Sequence, residues 1–270
     1  MPDLARLFFH PYIFICLVTG SGTACADDLA DKTNYIRLGA GLTELESTTF
    51  FDRDCEATAP PALFGCGNGP DGRLKGAYGD FDSSLLIEAA AGRQVHDWLR
   101  AEISLSYRPD WEFLGQSNFD RIPLGTAPVD ATGWNASLMA NAHLELSALL
   151  PNLQNYPVNP FLSAGVGAAY NHIGTVTYRF NEHDNNDRRY TPSGDRVDMA
   201  WSLGAGVGVD ISDHIELQIS YRYVDLGKVE TESGTFLMTR DGREDIPIQI
   251  DKTEADLTAN EALINVIYRY

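Results

Sequence analysis

Apolar residues occupy every second position over long stretches of this chain, and small or charged residues lie between them. The clearest stretch runs from residue 199 to residue 223 and is interrupted at Ser212 and Asp213. Its apolar columns are Met199, Trp201, Leu203, Ala205, Val207, Val209 and Ile211, and then Ile215, Leu217, Ile219, Tyr221 and Tyr223. Successive side chains of a strand point to opposite faces, so the pattern predicts a two-strand hairpin with one apolar face.

The same alternation recurs six more times, over residues 36–42, 85–92, 99–107, 134–146, 162–170 and 262–270. Together with the hairpin it predicts eight strands of roughly 9–14 residues, about the length that a tilted strand needs to cross a bilayer.

The connections between the strands alternate between long and short. The long ones are residues 44–81, 109–132, 172–196 and 226–257, and the short ones are 94–97, 148–159 and 212–214. Long loops at one rim and short turns at the other are typical of transmembrane barrels. The segments 175–180 and 235–250 are predicted to extend the barrel as hairpins above the bilayer.

Glycine and aromatic residues indicate which face of the strands is outside. In a soluble barrel, rows such as Gly204, Gly206 and Gly208 would expose bare backbone to water. In a transmembrane barrel the apolar columns face lipid, and glycine relieves crowding in the narrow lumen. Closure of the barrel pairs every backbone polar group. Aromatic residues then lie near the interfaces, and these are Trp98, Trp134, Trp201, Tyr107, Tyr170, Tyr221, Tyr223, Tyr268 and Tyr270. We therefore predict an all-β, eight-stranded antiparallel transmembrane up-and-down β-barrel with long extracellular loops and short periplasmic turns.

The N-terminus predicts export. An apolar run, Leu7–Val18, precedes Ala24-Cys25-Ala26, which is typical of a signal peptide cleaved after Ala26. A lipoprotein signal acylated at Cys25 is the alternative. Residues 1–26 are thus predicted to be the signal peptide and residues 27–270 the barrel domain. Cys55 and Cys66 remain after cleavage, and in an oxidising compartment they predict a disulfide, with free thiols or metal binding as alternatives.

Four segments of the chain resemble the opacity-type, porin-family eight-stranded outer-membrane proteins of Gram-negative bacteria. MANAHLELSA (139–148) and NPFLSAGVGAAYNHIG (159–174) are similar to the central hairpin of that family. AWSLGAGVGVDISDHIELQISYRYVDLG (200–227) and ALINVIYRY (262–270) are similar to its last three strands. The resemblance implies the barrel fold and an outer-membrane location. Tyr268 and Tyr270 resemble the C-terminal signal for the outer-membrane assembly machinery, and interfacial tyrosines are the alternative. The long first loop with its two cysteines departs from the family pattern.

The inward columns carry charges of both signs. The predicted lumen charge network comprises Arg37, Glu88, Arg100, Glu102, Glu145, Glu216, Arg222 and Glu261, and the same columns contain Arg108, Arg269, Asp198 and Asp210. We expect Arg100 near Glu145 and Arg222 near Glu261 across neighbouring strands. Eight strands leave a lumen just wide enough for side chains, so a salt-bridged plug is predicted, with an ion path as the alternative. His143 is interpreted as a hydrogen-bonding lumen residue rather than a base.

Charge and loop composition limit the function classes. A net charge of −18 argues against nucleic-acid binding. The outward apolar columns contain no His or Ser of the kind that lipid-hydrolysing barrels use, so neither an enzyme nor a cofactor is predicted. Loop 181–195 is rich in oxygen ligands but lacks the spacing of a calcium loop. It is interpreted as a solvated loop, with weak divalent-cation contact as the alternative.

The expected partners are outer-membrane lipid and lipopolysaccharide, the outer-membrane assembly machinery and an extracellular ligand bound by the loops. The predicted function is a structural or surface-interaction role through the extracellular loops. A narrow passive pore for small solutes or ions is the alternative.

Overall fold

The computed structural model describes residues 34–119, 124–153, 157–180, 187–239 and 242–270. The predicted signal peptide, residues 1–26, lies outside the described residues. No helix within the described ranges is long and apolar enough to cross a membrane.

Strands dominate the described part of the chain. They are β1 Asn34–Leu45, β2 Thr48–Asp52, β3 Ala77–Phe81, β4 Ser84–His96, β5 Leu99–Ser117, β6 Pro128–Glu145, β7 Asn159–Ile173, β8 Thr177–Phe180, β9 Asp187–Tyr190, β10 Gly194–Asp210, β11 Ile215–Glu230, β12 Gly234–Thr239, β13 Ile246–Ile250 and β14 Thr253–Arg269. Between β6 and β7 lie a helical turn, α1 Leu146–Leu149, and a 3-10 turn, Pro151–Leu153.

Eight of these strands close into a ring in the order β1–β4–β5–β6–β7–β10–β11–β14, and β14 pairs with β1 to complete it. Every neighbouring pair is antiparallel. At the closing pair, Ile36 lies opposite Tyr268 and Leu42 opposite Ala262. The predicted eight-stranded up-and-down barrel is therefore confirmed, because consecutive ring strands are neighbours throughout.

The two faces of the ring differ as the alternation predicts. Outward side chains such as Leu38, Val166 and Leu203 are 57–63% exposed, whereas Ala200 and Ser202 on the inner face of β10 are buried. The glycine row of β10 faces large lumen side chains. A Cβ at Gly206 would lie 2.5 Å from Phe161 Cζ and 2.6 Å from the carbonyl oxygen of Ile219. The glycines are thus present because the lumen space beside them is already filled.

The predicted long loops have wrong boundaries. β5 continues to Ser117 and β6 begins at Pro128, so most of the segment 109–132 is strand; likewise β11 continues to Glu230 and β14 begins at Thr253. β6 and β14 keep their parity, and their outward residues become polar there, as at Thr132 and Asp256. In β5 and β11 the reason is a register shift, between Arg108 and Trp111 and between Asp225 and Lys228 respectively. Each bulge exchanges the two faces, so the alternation appears to end where the strand in fact continues.

Short strands also occupy the remaining long loops. The segments 44–81 and 172–196 contain β2, β3, β8 and β9. The hairpin extensions predicted for 175–180 and 235–250 are confirmed, because β8 pairs with β9 and β12 pairs with β13.

These short strands build an apolar layer on the long-loop end of the ring, which we call the upper unit. Its sheet runs β5–β3–β2–β14 on one side and β6–β8–β9–β12–β13 on the other. Its interior is a hydrophobic core that includes Phe50, Phe81, Trp111, Phe113, Val129, Tyr178, Phe180, Phe236 and Ile250, each at most 7% exposed. The same inner wall that is charged at Arg108 is therefore apolar from Trp111 upward.

Candidate functional site in the barrel lumen

Three arginines and three glutamates form a continuous line of ion pairs across the lumen, which we call the lumen charge chain. Its order is Glu102, Arg37, Glu88, Arg222, Glu261 and Arg108, contributed by β5, β1, β4, β11, β14 and β5. The N–O distances along it are 2.5, 2.7, 2.7, 2.6 and 2.6 Å. Glu88 and Glu261 each accept from two arginines, so opposite charges alternate and the chain is neutral as a whole.

Neutral side chains add further hydrogen bonds to this chain. Ser106 donates to Glu88, Thr43 Oγ1 donates to Glu261 at 3.2 Å, and Tyr35 Oη donates to Glu102 at 3.1 Å. Asn265 Oδ1 accepts from Arg37 at 2.8 Å. Buried charges are tolerated when they are paired and their remaining donors and acceptors are satisfied. The network meets these conditions except at Arg108 Nη2, which is buried 2.6 Å from Glu261 Oε1 without a well-aligned hydrogen bond.

Further ion pairs lie toward the short-turn end of the lumen. Arg100 Nε donates to Glu145 Oε1 at 2.5 Å. Arg269 pairs with Glu216 and with Asp210, where the Nη1–Oδ1 distance is 2.7 Å. Nearby, His143 Nε2 lies 3.1 Å from Glu102 Oε1, inside the barrel.

All eight residues of the predicted network point into the barrel. These are Arg37, Glu88, Arg100, Glu102, Glu145, Glu216, Arg222 and Glu261, and the structure pairs Arg100 with Glu145 and Arg222 with Glu261. Arg108 also points inward but was not among the eight predicted network residues. Its partner Glu261 lies on β14, which is separated from β5 in the ring by β1 and β4, and strand register predicts contacts only between neighbouring strands. Two of the other inward positions lie at the edges of the buried network. Asp210 is half exposed at the rim, and Asp198 pairs with Arg196 above the point where β10 and β11 separate.

Little open space remains in the lumen. A cavity of about 20 Å³, lined by Arg37, Glu88, His143 and neighbouring polar side chains, has room for about one water molecule. Above the lumen charge chain the inner wall presents Leu226 and Leu257, both fully buried in the core of the upper unit. The barrel interior is thus filled by charged side chains below and by apolar side chains above.

Cys55 and Cys66 are joined in a disulfide, as predicted. The loop that they close is held on the upper unit by Asp52, whose carboxylate accepts the backbone N–H groups of Leu63, Phe64 and Gly65 at 2.9, 2.5 and 2.7 Å. Burial raises the pKa of Asp52, and these three donors oppose that rise. A half-buried carboxylate with three converging donors fixes the loop, and Phe64 beside it enters the hydrophobic core.

The remaining sequence-predicted positions lie at the surface. Tyr268 and Tyr270 stack at 6.4 Å on the outer face near the short-turn rim. Of loop 181–195, residues 181–186 lie outside the described residues, and Asp187–Tyr190 form β9. No group of three or more His, Cys, Asp or Glu positioned to hold a metal occurs in the part of the chain that the structure describes. One histidine on the outer face was not predicted. His172 continues the outward column above Tyr170, and its Nδ1 lies 2.7 Å from Asp195 Oδ1.

Comparison with known proteins agrees with this architecture. Residues 13–269 match the family model described as outer membrane protein beta-barrel domain. An uncharacterized protein of Brucella abortus (strain 2308) is 27% identical over 164 residues, covering 54% of each chain. The outer membrane protein PagN of Salmonella typhimurium is 27% identical over 115 residues, covering 41% of this chain and 42% of PagN. The chain thus spans about half the length of the curated relatives it matches.

The chain is also similar, at low identity, to solved outer-membrane and surface proteins. Neisserial surface protein A is 14% identical with a TM-score of 0.37, covering 88% of this chain and 97% of that protein. Ail of Yersinia pestis, solved with the heparin analogue sucrose octasulfate, is 10% identical with a TM-score of 0.36, covering 88% and 99%. The family match over nearly the whole sequence, the closed ring and its apolar outer face place the protein in the outer membrane of a Gram-negative bacterium. The chain belongs to the outer membrane β-barrel protein family.

Proposed function

We propose that this protein is a non-enzymatic, non-conducting barrel that anchors a surface-interaction unit in the outer membrane. The observation that carries the proposal is the doubly filled interior, in which the lumen charge chain is covered by the core of the upper unit. An ion crossing the barrel would have to separate buried pairs such as Arg222–Glu261 and then pass Leu226 and Leu257. Both barriers argue against the passive pore.

The upper unit suits a surface-interaction role because its loops are fixed on a rigid core. The Cys55–Cys66 disulfide and the Asp52 anchor hold the first loop. Large apolar side chains remain exposed on that unit, among them Leu74 at 58% and Ile246 at 40%. Loops displayed by a rigid scaffold are where recognition residues concentrate.

Conductance and attachment together test the proposal. The refolded protein in planar bilayers is expected to give no steady current steps. Bacteria displaying the protein are expected to attach to epithelial monolayers several-fold better than cells without it, and the variant Leu74→Ser/Ile246→Ser is expected to lose that gain. Steady conductance steps from the wild-type protein would overturn the proposal in favour of a pore. Attachment equal to that of cells without the protein would overturn the surface-interaction role.

A further inference from the structure

β10 and β11 separate at the level of the upper interface and leave a groove in the outer wall. Their pairing runs from Asp210↔Glu216 to Trp201↔Asp225, although β10 begins at Gly194 and β11 ends at Glu230. Gly227, at a φ of +77°, lies in the bulge where β11 turns away. A Cβ there would collide with the side chain of Asp198. The separation opens a groove of about 810 Å³, closed on its far side by β14 and the β1–β2 connection.

The lower end of this β10–β11 groove is aromatic and continuous with the lipid-facing belt. Trp201 and Tyr223 line it with ring centroids 5.5 Å apart, and Trp201 Nε1 donates to Asp225 Oδ2 at 3.2 Å, which fixes the indole. Met199 lies beside them and is 72% exposed, and Leu203 follows in the same outward column. A molecule in the groove would therefore have its lower part against the surface that contacts acyl chains.

The upper end of the groove offers mainly hydrogen-bond acceptors. The cations that line it are already engaged: Arg196 donates to Asp198 at 3.0 Å and Lys228 donates to Glu254 at 2.6 Å. Asp225 also accepts the backbone N–H of Gly227 at 2.8 Å.

Glu46 is another acceptor in the groove, and it accepts from Thr258 Oγ1 at 2.9 Å and from Asn260 Nδ2 at 3.2 Å. Asp225 and Glu46 thus hold neutral donors in the contacts that the structure describes. A carboxylate has about four acceptor positions, so both retain capacity for hydroxyl donors. Ser47 and Thr48 add hydroxyl groups to the same wall.

We propose that the β10–β11 groove binds the neutral sugar headgroup of an acylated glycolipid in the outer leaflet. Sugar rings have apolar faces that pack on aromatic rings, and their hydroxyls donate to carboxylates. Because the groove cations are neutralised, a phosphate headgroup would meet Asp225 and Glu46 without a compensating charge. The acyl chains would run down the exposed column from Met199. A ligand with a polar head and an apolar tail matches both ends of the groove.

The test measures lipid retained by the refolded full-length protein in nanodiscs of phosphatidylcholine. Separate preparations contain equal small fractions of digalactosyldiacylglycerol or phosphatidylglycerol, and bound lipid is counted by native mass spectrometry. We expect the galactolipid to be enriched at least five-fold over phosphatidylglycerol. Trp201→Ala and Ser47→Trp, which remove the platform and fill the groove respectively, are each expected to abolish the enrichment. Trp134→Ala, at an interfacial tryptophan outside the groove, is the matched control and is expected to retain it.

Each alternative result has a defined meaning. Equal retention by the wild type and Ser47→Trp would overturn the site, because that variant alters the groove and leaves the strand pairing of Trp201 in place. A preference for phosphatidylglycerol would overturn the neutral-sugar assignment. Binding of free digalactose as tightly as the galactolipid would overturn the role of the acyl chains. Gel mobility before and after heating verifies that every variant is folded.

Discussion

Removing Arg222 tests whether the lumen charges form a dry, paired plug. Arg222 donates to Glu88 at 2.7 Å and to Glu261 at 2.6 Å, and neither glutamate side chain has any exposed surface. In Arg222→Met the lumen charge chain keeps three glutamates and two arginines, so one negative charge is left uncompensated inside the barrel. Deleting one partner of a buried pair costs about 3–5 kcal/mol. We expect the free energy of unfolding to fall by about that amount.

The assay is reversible urea unfolding of the protein in lipid vesicles, followed by tryptophan fluorescence and by the change in gel mobility. Arg53→Met is the matched control, because the Arg53 side chain is 54% exposed and lies 3.5 Å from Glu230. An exposed pair of this kind contributes about 0–1 kcal/mol. The double variant Arg222→Met/Glu261→Gln removes one charge of each sign. It is therefore expected to be more stable than Arg222→Met alone.

A loss of stability in Arg222→Met no greater than that in Arg53→Met would refute the paired plug. That result would mean that water reaches Glu88 and Glu261 and stabilises their unpaired charge. A water-filled lumen is also the condition for conductance, so the same result would support the pore.

Three further predictions concern the glycine row and the upper unit. Gly206→Val should destabilise the barrel by about 1–3 kcal/mol through overpacking against Phe161, whereas Ala205→Val on the lipid face should be nearly neutral in the same urea assay. Replacing both Cys55 and Cys66 with Ser should destabilise the upper unit by about 2–4 kcal/mol. The expected result is protease cleavage within residues 53–66 while the ring stays resistant. Equal protease resistance with and without the disulfide would contradict this prediction. Burial raises the pKa of Asp52 above its ordinary value of 3.8, so the folded upper unit binds a proton at Asp52 more tightly than the unfolded chain does. The free energy of unfolding of the upper unit should therefore fall as pH rises through the raised pKa and then level off. Asp52→Asn should remove this pH dependence, measured as the urea midpoint of the upper unit at each pH, and an unchanged pH profile would show that Asp52 is not its source.

The ring was predictable from the sequence because its alternation is strict. The column from Leu203 to Val209 faces lipid, and the residues between its members are all glycine. A one-residue error would turn a whole column toward the wrong environment, so the pattern fixes the register of each strand. The lumen residues followed from the same parity.

The upper unit was only partly predictable because its strands obey a different rule. Beyond the bulge in β5, Trp111 and Phe113 face inward, whereas Tyr107 before it faces outward. A bulge leaves no composition signal of its own, so the exchange of faces looks like the start of a loop. The contacts that position Arg108 and the β10–β11 groove depend on strands far apart in sequence, and alternation within one strand carries no information about them.

The bulges in β5 and β11 also allow these two strands to pass through two environments. Within the bilayer the outer face must be apolar, so the charges are confined to the lumen and must neutralise one another, as the lumen charge chain does. Above the bilayer the outer face meets water, and an apolar interior becomes the stable arrangement. A continuous strand can satisfy both conditions if its two faces exchange at the interface, and one extra residue accomplishes that exchange. β5 exchanges its faces between Arg108 and Trp111, and β11 does so between Asp225 and Lys228.

The β10–β11 groove follows from the second exchange, because β10 retains its register with β7 up to Gly194 while β11 does not retain its register with β10. The site proposed for a glycolipid is therefore a geometric consequence of moving from an inverted barrel to an ordinary hydrophobic core within a few residues.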